Sequence, residues 1–496
     1  MRADKSEAES NAIRFVLDGQ VVTVADVPPT TTVLEYLREI AHRTGSKEGC
    51  AEGDCGACTV AIGELSADAT HVSYRAINSC IRLLPTIDGH ELITVESLQA
   101  ADGSLHPVQR SMVDHHASQC GFCTPGFVMS LFVLYLNAEA PSQEQVFEAL
   151  AGNLCRCTGY RPIIDAGISM GRYPRPSNWS REAAGASGHR DALRSIRRAR
   201  ALRLPGWHSP RTIDELAAAL EAEPSAVVLA GGTDVGLWVT KQLRDLPAII
   251  YIGEVAELRQ LRRDAAGITI GAAVSLSAAW AAIVGLYPSL SEMAQRFGSP
   301  PVRNSGTLCG NLANGSPIGD AIPTLIALGA TLELRRGGHT RALALEDFYL
   351  SYRRTALAPG EFIVSVSVPT ARSGQRVGSY KVSKRFDQDI SAVCATFSLQ
   401  LQGERVLAVR LAYGGMAGIA GRARAAENAL LAAGWNQAAV DAAASALSSD
   451  FQPLTDLRAS STYRLEVAAN LLRRFYLEHS GMKLPLRTAA ALLASG

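Results

Sequence analysis

The chain has 496 residues, 47% of them hydrophobic, with 48 lysines and arginines against 47 aspartates and glutamates. That length exceeds one ordinary domain of roughly 150 residues, and the apolar content excludes wholesale disorder. A net charge of +1 gives no electrostatic case for nucleic acid or an anionic membrane as a partner.

No apolar run reaches the roughly 18–20 residues that span a bilayer. The first twenty residues are polar and mixed in charge, unlike a secretory signal, so a cytoplasmic setting is expected. Ten cysteines in such a reducing compartment point away from disulfides. Eight of them fall between Cys50 and Cys157, and clustered cytosolic thiols point to metal.

In chain order, Ile13, Phe15 and Leu17, then Val21, Val22 and Val24, flank Asp18-Gly19, which predicts a hairpin. Thr32 to Ala41 reads as a short helix. A Gly- and Cys-rich loop covers 46–60, and strands are expected near Thr59–Ile62, His71–Tyr74 and Leu92–Val95. Residues 1–90 thus suit a small α+β sheet domain. Helical spacing follows at 105–117, 124–137, 143–150 and 160–170, which suits a four-helix bundle. Pro125 and Pro162 each follow a cysteine pair, and proline is tolerated in a first helical turn. Both pairs are therefore expected at helix N-termini. Residues 173–204 lose periodicity and include the basic run Arg194–Arg203. A solvated linker is expected there, with a partner-contact segment as the other reading. From 205 the pattern is mixed, with strands at Ala226–Ala230, Ala248–Ile252, Ile268–Ile270, Thr331–Leu334 and Glu361–Val368. A last α+β section has strands near Phe397–Leu401 and Val406–Tyr413, then helices across 422–447 and 464–478.

Cys50, Cys55, Cys58 and Cys80 have the C-x4-C-x2-C spacing with a distant fourth thiol, the plant-type pattern for a 2Fe–2S cluster. The loop must wrap closely for backbone N–H groups to reach the sulfurs, and Gly49, Gly53 and Gly56 remove obstructing side chains. Four cysteines can also hold zinc, which stays open as the alternative. Cys120, Cys123, Cys155 and Cys157 form a C-x2-C and a C-x-C pair. Positive helix ends favour bound thiolates. Cys309 and Cys394 have no partner at metal spacing and read as buried small hydrophobes.

A strand running into Gly231-Gly232 suits a pyrophosphate, because backbone N–H groups approach phosphate only where side chains are absent. That segment is Val228, Leu229, Ala230, Gly231, Gly232, Thr233, Asp234 and Val235. It lacks the G-x-G-x-x-G of a Rossmann fold. A second small-residue segment, 302–320, ends in Asp320 and suits phosphate and ribose.

The order of the eight cysteines resembles the iron–sulfur half of the molybdenum hydroxylases, and the two later segments resemble that family's FAD-binding domain. The resemblance implies a multidomain α+β chain: a β-grasp 2Fe–2S ferredoxin-like domain (1–90), a four-helix-bundle 2Fe–2S domain (91–172), a linker (173–204), a vanillyl-alcohol-oxidase-type FAD domain (205–375) and a C-terminal α+β domain (376–496). It implies that the first four cysteines hold one cluster and the second four the other, nearer the molybdenum. Gln119 then matches a residue that touches the pterin. By motif match, FAD is met by 228–235, by Phe297, by Thr307, Leu308, Cys309, Gly310 and Asn311, by Asp320, and by Ile363 and Lys381. Tyr352-Arg353-Arg354-Thr355 resembles a stretch bordering the nicotinamide, or is a solvated basic turn. The fused order is similar to the small subunit of bacterial members. It implies molybdopterin on a partner large subunit, NAD as electron acceptor and an α2β2 heterotetramer. No catalytic residue for hydroxylation is expected in this chain. An aldehyde or N-heterocycle as substrate, a stand-alone carrier oxidising NADH, and a zinc-stapled scaffold without redox role are the competing readings.

Overall fold

The computed structural model describes residues 11–100, 102–176, 179 and 187–480. The predicted hairpin is present: β1 (Ile13–Leu17) and β2 (Gln20–Val24) pair antiparallel around Asp18 and Gly19, both at positive φ, as a tight hairpin turn demands. With β3 (Thr59–Leu65), β4 (Val72–Asn78) and β5 (Glu91–Ile93) they form a sheet of order β2-β1-β5-β3-β4. β1 and β5 run parallel; the other pairs are antiparallel. The predicted helix at 32–41 opens with a capping box, in which Thr32 Oγ1 accepts from Glu35 N–H and Glu35 Oε2 accepts from Thr32 N–H. It then widens, Ala41 N–H bonding to the Tyr36 carbonyl five residues back. Leu37 packs into the sheet's apolar cluster, and Leu34 packs against Cys58, Cys80 and Ile81.

The four expected helices occur at Pro107–Asp114, Thr124–Asn137, Gln143–Leu150 and Arg161–Ser169. Thr124–Asn137 is apolar almost all round, and Phe127, Met129, Leu131 and Phe132 are fully enclosed. A helix of that kind must be covered on every side. Part of the cover comes from the sheet, because Ala61, Tyr74 and Ile93 lie in the same apolar cluster. The sheet and bundle units therefore share a core.

The linker departs from its expectation of a solvated run. Within 173–204, Ser187–Ile196 is a helix whose Leu193 and Ile196 pack on Val16 of β1. Its arginines cap the sheet: Arg190 donates to the Thr70 carbonyl and Arg194 to the Ala69 carbonyl. Arg198 pairs with Asp88 and bonds the Ala12 carbonyl, its side chain only 6% exposed. The basic run is thus a strap over β1, whose both faces need cover. Arg198→Ala leaves Asp88 without its cation in a poorly solvated place, which costs about 3 kcal/mol or more. Chemical unfolding of the variant, followed by far-UV circular dichroism, measures that loss.

The strand that follows the strap begins at Leu202. β6 (Leu202–Leu204) and β7 (Trp207–Ser209) join β8 (Val227–Leu229) and β9 (Ile249–Tyr251) in the order β6-β7-β9-β8, with β7 and β8 parallel to β9. A second, antiparallel sheet contains β10 (Leu261–Arg263), β11 (Gly267–Gly271), β12 (Thr331–Arg336) and β13 (His339–Ala344). A small hairpin, β14 (Tyr349–Ser351) and β15 (Arg354–Thr355), precedes its last strand, β16 (Phe362–Pro369), and the sheet order is β10-β11-β16-β12-β13. The third sheet is β17 (Arg376–Val382), β18 (Val393–Gln402), β19 (Arg405–Gly414) and β20 (Gly421–Arg422) in sequential order. Helices Arg424–Ala433, Gln437–Asp450 and Ser461–His479 follow it. Among the described residues no helix is long and apolar enough to cross a membrane.

Candidate cofactor-binding sites

The first four cysteines converge as expected. The loop before β3 wraps Cys50, whose sulfur lies 3.4–3.5 Å from the N–H groups of Glu52, Asp54 and Cys55. Cys58 and Cys80 are buried, and Cys50 and Cys55 are half-buried. Asn78 Nδ2 lies 3.9 Å from the Cys58 sulfur. Cys50 meets Cys55 and Cys80, and Cys58 meets Cys80. The neighbouring thiols of Cys55 and Cys80, with the Glu52 and Cys55 N–H groups, pull the Cys50 thiol well below its ordinary range.

The second four also converge, at the start of two helices. Cys123 immediately precedes Thr124–Asn137. Cys155 N–H bonds to the Tyr160 hydroxyl at 3.0 Å, and its sulfur lies 3.1 Å from Thr158 Oγ1. Cys120 meets Cys157 and Cys123 meets Cys155. The Phe122 N–H and then Cys157 draw the Cys120 thiol down. Cys120 and Cys157 are exposed, as are Gln119 and, beside them, Phe122 and Leu154.

Both thiol sets fit a 2Fe–2S cluster. The second set gathers in two pairs, Cys120 with Cys157 and Cys123 with Cys155, and a two-iron cluster held by four cysteines takes two thiolates per iron. N–H groups aimed at a sulfur stabilise its thiolate form.

The two sets are neighbours. Leu154 N–H donates to the Cys55 carbonyl at 2.9 Å, so one hydrogen bond joins a ligand loop of each set. Asn153, buried, donates to the Gly56 carbonyl and accepts from Ser130 Oγ. Gly56 stands at φ 71°, and a Cβ there would lie 2.5 Å from Asn153 Nδ2. None of these contacts is signalled by cysteine spacing.

The two glycine-rich segments also meet. A Cβ on Gly231 would overlap the Ser305 carbonyl oxygen and lie 2.6 Å from Gly306 Cα. Asn314 Nδ2 donates to Asp234 Oδ1 at 3.3 Å. Thr307 caps its helix by accepting from Gly310 N–H. Leu308 and Cys309 are buried, and the Asn311 side-chain oxygen is buried without a partner. Backbones that meet without side chains and a buried acceptor without a partner in the second segment fit a dinucleotide with donors of its own. Beyond the glycines, Ile81, next to Cys80, rests on this region: a Cβ on Gly236 would lie 3.0 Å from Ile81 Cβ. Thr240 Oγ1 donates to the Ala51 carbonyl at 2.7 Å. The ferredoxin-type thiol loop therefore abuts the first flavin segment.

Asp320 and Lys381 meet each other: Lys381 Nζ donates to Asp320 Oδ2 at 2.7 Å, and Ser391 Oγ to Asp320 Oδ1 at 2.6 Å. Sequence reasoning treated these two as separate contacts, and Ser391 was not found. Phe297 is buried against Trp280. Ile363 lies in β16 opposite Leu334. Cys309 and Cys394 are fully buried, and burial pushes the Cys309 thiol up to about 12, which makes both inert. Tyr352 is exposed on the β14–β15 hairpin with the Arg353 guanidinium over its ring, and Tyr349 ties that hairpin to the Leu312 carbonyl. Asp320→Ala strands the Lys381 ammonium in a dry site, at a cost of about 3–5 kcal/mol. Denaturant titration of the variant should show that loss, and flavin fluorescence should show FAD released.

Four family sequence models match the chain. They are the 2Fe-2S iron-sulfur cluster binding domain over 15–83, the 2Fe-2S binding domain over 94–167, the FAD binding domain in molybdopterin dehydrogenase over 199–371, and the CO dehydrogenase flavoprotein C-terminal domain over 378–479. Xanthine dehydrogenase of Emericella nidulans is 33% identical, covering 95% of this chain and 39% of that protein. Xanthine dehydrogenase 1 of Arabidopsis thaliana is 32% identical over 84% of this chain and 36% of that protein. Among solved structures, a chain of carbon monoxide dehydrogenase from Hydrogenophaga pseudoflava matches with a TM-score of 0.51 at 29% identity, covering 54% of this chain and 94% of that one. A chain of quinoline 2-oxidoreductase from Pseudomonas putida 86 matches at 0.50 and 26% with the same coverage.

The chain belongs to the molybdenum hydroxylase family, as a multidomain α+β chain with two 2Fe–2S domains, an FAD-binding domain and the flavoprotein C-terminal domain. Within that family it is similar to the xanthine dehydrogenases, and it spans a little over a third of the length of the curated relatives above.

Proposed function

We propose that this chain is the iron–sulfur/FAD subunit of a xanthine dehydrogenase. In this reading it relays electrons from a molybdopterin centre on a partner large subunit to NAD. Hypoxanthine becomes xanthine, and xanthine urate, on that partner. The same subunit serving an aldehyde or another N-heterocycle is the alternative, and the partner chain decides between them. A cytoplasmic α2β2 assembly completes the reading.

The observation that carries it is the order of the three sites. The helical-domain thiols open to the surface. The ferredoxin-type thiols lie one hydrogen bond inward, through Leu154 and Cys55, and their loop abuts the first flavin segment. When bound, the clusters supply one-electron transfer and the flavin couples it to hydride exchange with NAD. The chain's own residues hold this order. Asn153 pins Gly56, Thr240 pins Ala51, and the Tyr349 hydroxyl holds the exposed Tyr352 hairpin beside the second flavin segment.

Anaerobic NADH added to the purified protein should bleach flavin and iron–sulfur absorption together. Bleaching with dithionite but not NADH would move the acceptor from NAD to oxygen or another carrier. Xanthine should bleach the same bands only in the complex with the large subunit; failure there with an active aldehyde would overturn the purine assignment.

A further inference from the structure

The loop between β17 and β18 is exposed from Lys384 to Asp387, but Gln388 turns inward. Its backbone holds φ at 49°, a costly conformation for a non-glycine residue that surrounding contacts must enforce. Those contacts come from the loop itself. Arg385 Nη2 donates to the Gln388 carbonyl at 3.2 Å and Asp389 Oδ2 accepts from Arg385 N–H at 2.8 Å.

The Gln388 side chain reaches three separate segments. With its amide oriented to satisfy every partner, Nε2 donates to the Asp54 carbonyl at 3.2 Å. Oε1 accepts from Ser299 Oγ at 3.0 Å and from Gly152 N–H at 3.2 Å. Asp54 lies between Cys50 and Cys55 in the first thiol loop. Gly152 lies three residues before Cys155 of the second. Ser299 follows Phe297 by two residues and caps the helix Pro300–Ser305. Gly152 stands at φ 110°, and a Cβ there would lie 2.6 Å from Ser299 Cβ and 2.9 Å from the Gln388 amide, so the junction has no slack. The loop is anchored on its other side to the flavin pocket. Arg296 donates to the Phe386 and Lys381 carbonyls and stacks over the Phe386 ring, and Ser391 bonds to Asp320.

We propose that Gln388 is a positioning residue that fixes the spacing of the two cluster loops and the flavin pocket through one amide. This rests on the reading of those segments as cofactor sites. An amide suits the task because it donates to a carbonyl on one side and accepts two hydrogen bonds on the other. Leucine of similar size keeps the volume and loses all three bonds. Glutamate keeps the two acceptor bonds and loses the donation to Asp54.

The test uses the full chain in its complex, loaded with iron and FAD. Electron paramagnetic resonance of the dithionite-reduced protein reads the magnetic coupling between the two clusters, and rapid-freeze sampling reads electron distribution between clusters and flavin. Gln388→Leu should retain iron and FAD, change the coupling, and slow electron redistribution relative to the wild-type protein, because the three bonds that tie the two cluster loops to the flavin side are lost. Gln388→Glu should shift the ferredoxin-type signal and leave the helical-domain signal in place. Wild-type coupling and wild-type redistribution in both variants, with cofactors retained, would overturn the role of Gln388. Wild-type protein lacking two cluster signals would instead overturn the cofactor reading beneath it.

Discussion

Gly231→Ala yields protein with its iron–sulfur colour and little or no FAD. The reason is the meeting of two backbones. Gly231 faces Ser305 and Gly306 so closely that a Cβ would overlap a carbonyl oxygen and lie 2.6 Å from Gly306 Cα. Both neighbours are main-chain atoms, which cannot swing aside as a side chain can. The two flavin segments must separate. Overpacking of this kind costs about 1–3 kcal/mol, or about tenfold to a hundredfold in affinity. FAD content after gel filtration and iron content are the two readings. Gly285 supplies the control: it lies in the helix Leu276–Leu286 with nothing within 4 Å of its would-be Cβ. Gly285→Ala should keep FAD and raise stability by about 0.5–1 kcal/mol. Equal loss of FAD and iron in Gly231→Ala would show a failed fold rather than a failed site.

Cys120→Ser removes one cluster and spares the other cofactors. A serine hydroxyl is a poor substitute for a thiolate on iron. Cys120 is exposed at the rim of the helical-domain set, and no core packing depends on it. Iron should fall by about half, and one of two electron paramagnetic resonance signals should vanish, since each cluster is held by four thiolates. FAD and its reduction by NADH should persist, because the flavin segments touch the other thiol loop, at Ile81 and Ala51. In the proposed complex with a molybdenum-binding subunit, electrons from that subunit should no longer reach FAD. Loss of both signals together would contradict the assignment of Cys120 to a separate site.

Local signals in the sequence were faithful where one segment decides its own structure. The four bundle helices follow from apolar spacing with Pro125 and Pro162 as starts. The hairpin follows from Asp18-Gly19. Cys50, Cys55, Cys58 and Cys80 converge because three of them share a single loop. Strands β6, β7 and β10 were not read because each is a three-residue run broken by a polar or charged residue (LRL, WHS, LRR), whereas β8 and β9, equally short, are continuous apolar runs (VVL, IIY). β13 was not read because its first four residues are exposed. The strap Ser187–Ile196 looked like a solvated linker because its cover, Val16, lies far upstream. Lys381 and Asp320 each matched a motif, yet their pairing across 61 positions leaves no local trace. Gln388 is the extreme case: its three partners lie on three segments remote from it in sequence.

The central claim is that one chain holds two 2Fe–2S clusters and one FAD in a connected order. Iron, acid-labile sulfide, zinc and FAD should be measured per chain on the purified protein, together with its visible spectrum. The expected result is two irons and two sulfides for each thiol set, one FAD, no stoichiometric zinc, and a brown protein that bleaches with dithionite. A colourless protein with zinc at either thiol set, or iron without sulfide, would contradict it.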